Sequence, residues 1–589
     1  MKNAAVAALF ETMADVMEIK GENAFRVNSY RKVARILRDL TEDLEAIHTR
    51  GELTELPGVG QSSAEKIAQY FETGRVAAYD ELLDGFPLGA LDMLRVPGLG
   101  PKTVGRLMAE KGIDSLDALE QAARTGGLTG LPGMGEKTVA NILSGIDFLK
   151  RSAGRILLGR ALPVAERIIG ALREGCDLKA ITAAGSLRRM QETVGDIDIL
   201  ATVEAAPGDE AAAGRRIVDA FAALPGVAEV LAAGDTKGSV RTEDGLQVDL
   251  RVVRPESYGA ALHYFTGSKA HNVRLRGRAI EMGLKVNEYG VFEGDRRVAG
   301  ATEEEVYEAL GLRWIPPELR EERGEIEAAE AGTLPRLVTL DDIRGDLHAH
   351  TDYSDGVLPV FEMAAAAQEL GYAYLAITDH SPSLGIARGL SAKRLREQQK
   401  EIRAARRRLP GFRILSGTEA DILPDGTLDY PESVLAGLDF VIASVHTHFR
   451  MAEDEMTERI LAAVRSPYVA AIGHLTGRLL GQREGYAVDV GRVLEACAES
   501  GTALELNAHT ERLDINDTIC RRAKDADVRV MIGTDAHRPE HFGLMALGIG
   551  TARRGWLEPG DVLNCMGADE LTEYVRAKRP ARRSRKPAT

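Results

Sequence analysis

A chain of 589 residues, with apolar residues at 44%, charged residues at 28% and aromatics at 5%, has room for about four domains, and collagen-like, disordered and disulfide-rich classes are excluded. Cys176, Cys497, Cys520 and Cys565 form no C-x-x-C pair, which argues against a zinc ribbon or a disulfide framework and fits a reducing, cytoplasmic compartment. No run approaches the length of about 18 apolar residues that marks a membrane span, so neither secretion nor insertion is expected. The net charge of −15 works against nucleic acid as a partner unless the contact is made locally.

In chain order, the first feature is a repeat: Leu56-Pro57-Gly58-Val59-Gly60, Val96-Pro97-Gly98-Leu99-Gly100 and Leu131-Pro132-Gly133-Met134-Gly135. Each copy precedes a helical pattern, and residues 1–150 read as all-helical. Glycine permits backbone conformations closed to other residues, and amides at a helix start can face a phosphate. Gly58, Gly60, Gly98, Gly100, Gly133 and Gly135 are therefore candidate DNA-backbone contacts that leave the formal charge unchanged. A dinucleotide fingerprint would need a preceding strand and G-x-G-x-x-G spacing, and neither is present. The three frames resemble helix-hairpin-helix motifs.

From about residue 180 the pattern turns to strands: ITAAGS, GDIDILATV and GLQVDLRVV. Asp196 and Asp198, two residues apart, project from one face of a strand. Asp249 joins them if the strands pair, and three such acids can hold two Mg²⁺ ions for in-line phosphoryl transfer. Gly185-Ser186-Leu187-Arg188-Arg189 supplies a hydroxyl, forked donors and a glycine turn suited to a triphosphate. The segment GSLRRMQETVGDIDIL resembles the palm signature of family X DNA polymerases, the group of DNA polymerase beta, and the likeness continues at Tyr264-Phe265-Thr266-Gly267-Ser268, Asn272 and Arg276. The resemblance implies metal binding by Asp196, Asp198 and Asp249. It also implies triphosphate binding around Gly185, Ser186, Arg189, Gly195 and Gly267, sugar contact by Tyr264 and Phe265, minor-groove contact by Asn272 and template contact by Arg276. Arg155 is a further phosphate candidate.

Residues 341–575 hold nine of the twelve histidines. Successive apolar runs there, YLAITDH, RILSGTEADI, FVIASVH, VAAIGH, ALELNAH and VMIGTDAH, each end in an imidazole or charged side chain, as in an α/β barrel with its site at the carboxyl ends of the strands. Ligation by histidine and carboxylate without thiolate suits Mn²⁺, Zn²⁺ or Fe²⁺. The constellation resembles the polymerase and histidinol phosphatase (PHP) domain, whose ligand set falls on His348, His350, Asp355, His380, Glu419, His446, His474, Asp535 and His537. His448 and His509 lie outside that set.

The two resemblances together imply a multidomain α and α/β protein. It would have an N-terminal lyase-like helical domain at 1–85, helix-hairpin-helix fingers at 86–150, a nucleotidyltransferase-type mixed-sheet palm at 151–255 and a thumb at 256–315. A linker at 316–340, a distorted PHP barrel at 341–575 and a basic disordered tail at 576–589 would follow. The implied function is short gap filling in base-excision repair with a PHP-borne 3′–5′ exonuclease or 3′-end processing activity. The implied ions are Mg²⁺ in the palm and two or three Mn²⁺ or Zn²⁺ ions in the barrel. The partners are gapped or nicked DNA with a 5′-phosphate and deoxynucleoside triphosphates, and the expected state is a monomer. A small-molecule phosphatase with a vestigial polymerase, and a non-catalytic repair scaffold, are the alternatives. Lys66 stands where the family's lyase lysine falls, with Ser62 replacing a further lysine. Its free amine would need positive potential from Arg26, Arg31 and Lys32 to act as a Schiff-base nucleophile.

Overall fold

The computed structural model describes residues 2–39, 44–56, 58–96, 99–128, 131, 133–152, 155–204 and 209–579. The chain divides into two compact units, residues 1–153 with 481–484, and residues 154–480 with 485–589. No helix of the described residues is long and apolar enough to cross a membrane.

The first unit is helical. Each glycine frame leads into a helix: α1 (Gln61–Thr73), α2 (Pro101–Lys111) and α3 (Glu136–Ser152). Gly60 and Gly100 are the N-caps of α1 and α2, with extended backbone. Gly58 and Gly133 take φ of +94° and +83°, a region closed to most side chains, so in the first and third frames the first glycine turns the chain ahead of the helix. Gly98 lies outside the described residues. The helices bury one apolar face each, around Phe10, Leu37 and Ile67 in one cluster and Val104, Leu107 and Ile146 in another.

In the second unit, α4 (Leu158–Gly175) precedes a five-stranded sheet of β1 (Ala180–Ala183), β2 (Ile197–Thr202), β3 (Val227–Ala233), β4 (Lys237–Thr242) and β5 (Gln247–Val253), in the order β1-β2-β5-β4-β3. The β2–β5 pair is parallel and the others are antiparallel. Along β5 burial alternates, with Val248, Leu250 and Val252 inside and Gln247, Asp249 and Arg251 on the opposite face, so the strand period itself turns the carboxylate outward. The helical turn α5 (Gly185–Arg188) lies between β1 and β2. Helices α6 (Tyr258–Thr266) and α7 (Lys269–Glu281) lead to an antiparallel sheet of β6 (Lys285–Asn287), β7 (Gly290–Glu293) and β8 (Arg296–Ala299).

Residues 316–340, expected as a linker, are instead folded. Helix α8 (Glu325–Ala331) lies within them, Leu319, Ile326, Leu337 and Val338 are buried, and Arg320 and Glu325 have no exposed surface. The acid-rich composition that suggests a linker is answered by buried partners. Arg320 donates to Glu303 at 2.6 Å and His271 Nδ1 lies 2.7 Å from Glu325, a pairing that composition does not reveal.

The remainder is a parallel barrel of β9 (Gly345–Ala349), β10 (Tyr374–Ile377), β11 (Arg413–Asp421), β12 (Phe440–Ser444), β13 (Ala471–Ile472), β14 (Ala503–Asn507) and β15 (Val530–Gly533), neighbours in chain order. A parallel bridge between Ala349 and Ala536 links its first and last strands. Helix α9 (Val360–Glu369) follows β9, α10 (Ala392–Arg408) follows β10, and α11 (Met545–Arg554) follows β15. The barrel and the five-stranded sheet are not independent bodies. Leu513 and Leu547 of the barrel belong to the sheet's apolar core, and Trp556 packs with the three-stranded region. The expected tail begins too early, since a last helix runs Ala568–Ala577; residues 580–589 lie outside the described residues.

Candidate active sites

The first centre forms where β2 and β5 run side by side. Asp198 is paired with Asp249 in the register, and Asp196 stands just before β2, so their oxygens fall within 4.8 Å of one another. Burial, and then the charges of Asp196 and Asp249, push the Asp198 carboxyl up to about 6. A cluster of acids this close is one that a divalent cation relieves. Gly185, at φ +61°, leaves room for Asp198, because a Cβ there would collide with its Oδ2.

The two arginines of the G-S-x-R-R segment have different partners. Arg188 makes a two-pronged contact with Glu303, both bonds 2.8 Å, and Glu303 also receives Arg320. Burial opposes ionisation of Glu303, and Arg320 and Arg188 overcome it, holding its carboxyl well below the usual range. Arg189 donates to the Thr266 carbonyl and, at 2.9 Å, to Glu321. Ser186 is half-buried on α5, Gly195 precedes Asp196, and Arg155 binds Thr193 at 2.9 Å through Nε. At the end of α6 the Tyr264 and Phe265 rings meet edge to face with centroids 5.2 Å apart, and the Arg251 guanidinium lies 4.4 Å from the Phe265 centroid. Gly267 caps α6 at φ +69°. Asn272 donates to the Tyr264 carbonyl at 2.8 Å, and its own amide oxygen is buried without a partner. Arg276 is exposed on α7.

In the first unit, Lys66 Nζ donates to Ser62 Oγ at 2.8 Å and lies 5.8 Å from the Tyr30 ring centroid. The cations expected to raise the local potential are partly neutralised. Arg26 pairs with Glu22 at 2.7 Å, and Arg31 pairs with Asp15 and Glu18 at 3.1 and 2.5 Å.

The second centre lies at the carboxyl end of the barrel strands and gathers all nine expected residues. One group joins His350, Asp355, His380 and His537, another His348, His350 and Asp535, and a third His380, Glu419 and His446, each with ligand atoms within 4.8 Å. His474 Nε2 lies 3.0 Å from Glu419. Burial works against the charge on Glu419, but His446, His380 and His348 hold it well below the usual carboxylate range. Burial, and then Arg512, take His474 down to about 4. His509 stands half-buried outside the groups, its ring centroid 5.8 Å from that of His541, and His448 has φ of +59°.

Several residues that position this centre are not among the sequence candidates. Glu505 of β14 lies 2.5 Å from His348 Nδ1, and its other oxygen accepts the His474 backbone N–H at 2.7 Å. Asp379 accepts from Thr351, Ser354 and Gln398. Asn507 donates to Asp535 at 3.1 Å. A carboxylate behind a ligating imidazole fixes its tautomer and orientation. The available signal for Glu505 is a single acid inside the apolar run ALELNAH.

The fold and the two centres define a carboxylate-bearing palm joined to a histidine-lined phosphoesterase-type barrel. The sequence matches the helix-hairpin-helix domain over residues 1–76, the SAM-like helix-hairpin-helix tandem over 90–147, the DNA polymerase beta thumb over 261–321 and the PHP domain over 346–509. It is 38% identical over 576 residues to the DNA polymerase/3′-5′ exonuclease PolX of Bacillus subtilis, covering 97% of this chain and 99% of that protein. The chain belongs to the family X DNA polymerases that carry a PHP domain. The chain is also 34% identical over 203 residues to a protein named as a probable phosphatase from Caldanaerobacter subterraneus, spanning 33% of this chain and 75% of that one. Among solved structures, a ternary P/T complex of Leishmania infantum polymerase beta matches with 26% identity and a TM-score of 0.27, covering 40% of this chain and 99% of that chain.

Proposed function

We propose that this polymerase fills short gaps in DNA during base-excision repair and that its barrel is the 3′–5′ exonuclease. The observation that carries the reading is the presence, in one chain, of a complete three-carboxylate palm and a complete nine-residue barrel set. Asp196, Asp198 and Asp249 fit two Mg²⁺ ions, their crowding being what divalent charge offsets. The barrel fits two or three Mn²⁺ or Zn²⁺ ions. His348 Nε2 and both ring nitrogens of His350 are buried without a well-formed hydrogen bond, as imidazoles kept for ligation are. Bound ions would neutralise phosphoryl charge at both centres, lowering the pKa of the primer 3′-hydroxyl in the palm and of a water in the barrel.

The chain's own residues do the rest in this reading. Gly185, Ser186, Arg189, Gly195 and Gly267 hold the triphosphate, Tyr264 and Phe265 lie against the sugar, Asn272 meets the base and Arg276 the template. The glycine frames of the helical unit hold the DNA backbone and the 5′-phosphate of the gap. Lys66 gives that unit a weak 5′-deoxyribose phosphate lyase activity. The protein acts as a monomer in the cytoplasm. The likeness of a third of the chain to a protein named as a probable phosphatase favours a second reading, a small-molecule phosphatase, against which the intact palm counts.

The test is a gapped duplex, 5′-labelled on the primer, incubated with the purified protein and Mg²⁺ or Mn²⁺. Extension with nucleotides and shortening without them is the expected result. Absence of extension removes the gap-filling reading, and absence of shortening removes the exonuclease from the barrel.

A further inference from the structure

Helix α10, of sequence AKRLREQQKEIRAARRR, runs along the outside of the barrel and buries Leu395, Gln398, Ile402 and Ala405. Lys393, Arg396, Lys400, Arg403 and Arg407 follow one another at steps of three, four, three and four, which places them within an arc of roughly 80° over ~21 Å of helix. All five are exposed. Among the described residues none of them enters an ion pair or hydrogen bond, although the rest of the helix is well partnered. Glu401 bonds Tyr353, Arg406 binds Asp439 at 2.8 Å, Arg394 binds the Arg388 carbonyl at 2.8 Å, and the Arg408 guanidinium lies 3.3 Å from the Phe361 ring centroid. Like charges at these spacings disfavour a helix by a few tenths of a kcal/mol per pair. The one exposed acid on the helix, Glu397, forms no ion pair with any of the five, and five cations on one arc outnumber it in a chain whose net charge is −15.

The direction of the stripe adds the second observation. The amino-terminal half of the helix lies beside the metal-ligating loops, because Gln398 donates to Asp379 next to His380, and the N–H of Leu390, two residues before the helix, donates to the His380 carbonyl at 2.8 Å. Its last turn leads to Arg413, the first residue of β11, at the opposite end of the barrel. The cations therefore form a line on the outer face of the helix that starts at the end of the barrel bearing the histidine centre and runs down the barrel wall.

We propose that this stripe is a track for the phosphate backbone of DNA, holding the strand whose 3′ end occupies the barrel centre. It rests on the exonuclease reading of that centre and names the surface that reading lacks. Cations in line with a polyphosphate chain gain affinity chiefly by releasing condensed counterions, so the signature is dependence on salt.

In the full-length protein, all five residues are changed to glutamine, which keeps helix propensity. The readouts are exonuclease kinetics on a long labelled single strand over a range of salt, hydrolysis of thymidine 5′-(p-nitrophenyl phosphate), and gap extension by the palm. The expected result is a KM for the long strand raised about tenfold or more and a salt slope shallower by up to about 3.5, five contacts at about 0.7 each. The small phosphodiester and gap extension should be unchanged, and exchanging each Lys for Arg and each Arg for Lys should restore the kinetics. Unchanged KM and salt slope in a variant that still cleaves the strand would overturn the track while leaving the exonuclease reading intact. Cleavage of the small phosphodiester but of no DNA by the unmodified protein would overturn both. Should the fivefold variant not fold, the pair Lys400→Gln and Arg403→Gln decides by the same measurements.

Discussion

Arg189 of the palm and Arg554 of the barrel share one carboxylate oxygen of Glu321, each at 2.9 Å. Gln191 reaches the same oxygen at 2.6 Å, and Arg554 also donates to the Arg189 carbonyl at 2.9 Å and to Asp517 at 2.7 Å. The guanidinium expected to meet a triphosphate is thus braced through helix α11 of the barrel.

Truncating the brace therefore affects the palm from outside it. Arg554 is 5% exposed, and removing one member of a buried charged network costs about 3–5 kcal/mol. Arg554→Ala lowers thermal stability and raises the KM for deoxynucleoside triphosphates more than it changes barrel nuclease activity. Lysine at the same position does not restore the network, because a point charge cannot reproduce three directed contacts. An unaltered nucleotide KM in steady-state extension contradicts the brace.

Asp198 carries a pH dependence with a defined sign. Its carboxyl is raised to about 6, from about 3.9 in an unfolded chain. In that window the folded protein keeps a proton the unfolded chain releases, so in metal-free protein this group's contribution to stability falls as pH rises and the penalty is fully present above pH 6. Asp198→Asn should raise the Tm of metal-free protein at pH 8, with a gain that shrinks toward pH 4. It should also abolish extension, the loss of two-metal stabilisation being worth several kcal/mol. A Tm that drops at pH 8 counts against the crowding account.

In the barrel, His350→Ala and Asp535→Ala remove nuclease activity and leave gap extension largely intact. Glu505→Gln, with no ligand lost, weakens metal affinity about 10–100-fold by releasing His348. Metal content after dialysis against graded chelator, alongside both activities, checks the assignment. If Asp198→Ala eliminates extension and nuclease together, the degradation belongs to the palm.

Lys66 is tested by borohydride trapping on an incised abasic duplex. The expected adduct is weak, since Arg26 and Arg31 are paired with acids and their charges partly neutralised, and it disappears in Lys66→Ala. Trapping that survives the substitution places the nucleophile elsewhere.

Local signals in the sequence determined a large part of this protein. The glycine frames mark three helix starts, because positive φ and an exposed helix end demand particular residue types over a few positions. The palm acids are legible because the strand period of two places Asp196 and Asp198 on one face, with Asp249 joining them once the parallel pairing sets Asp198 opposite it, and the barrel histidines because each closes an apolar run. Only the tertiary structure decided what distant residues do to one another. Composition marked residues 316–340 as linker, yet Arg320 and Glu325 are buried against Glu303 and His271, and buried pairing between remote positions leaves no local pattern. The same holds for Glu505 behind His348 and for Glu321 between Arg189 and Arg554. Each is an ordinary acid in sequence, and its role comes from which cation the fold brings within hydrogen-bond distance.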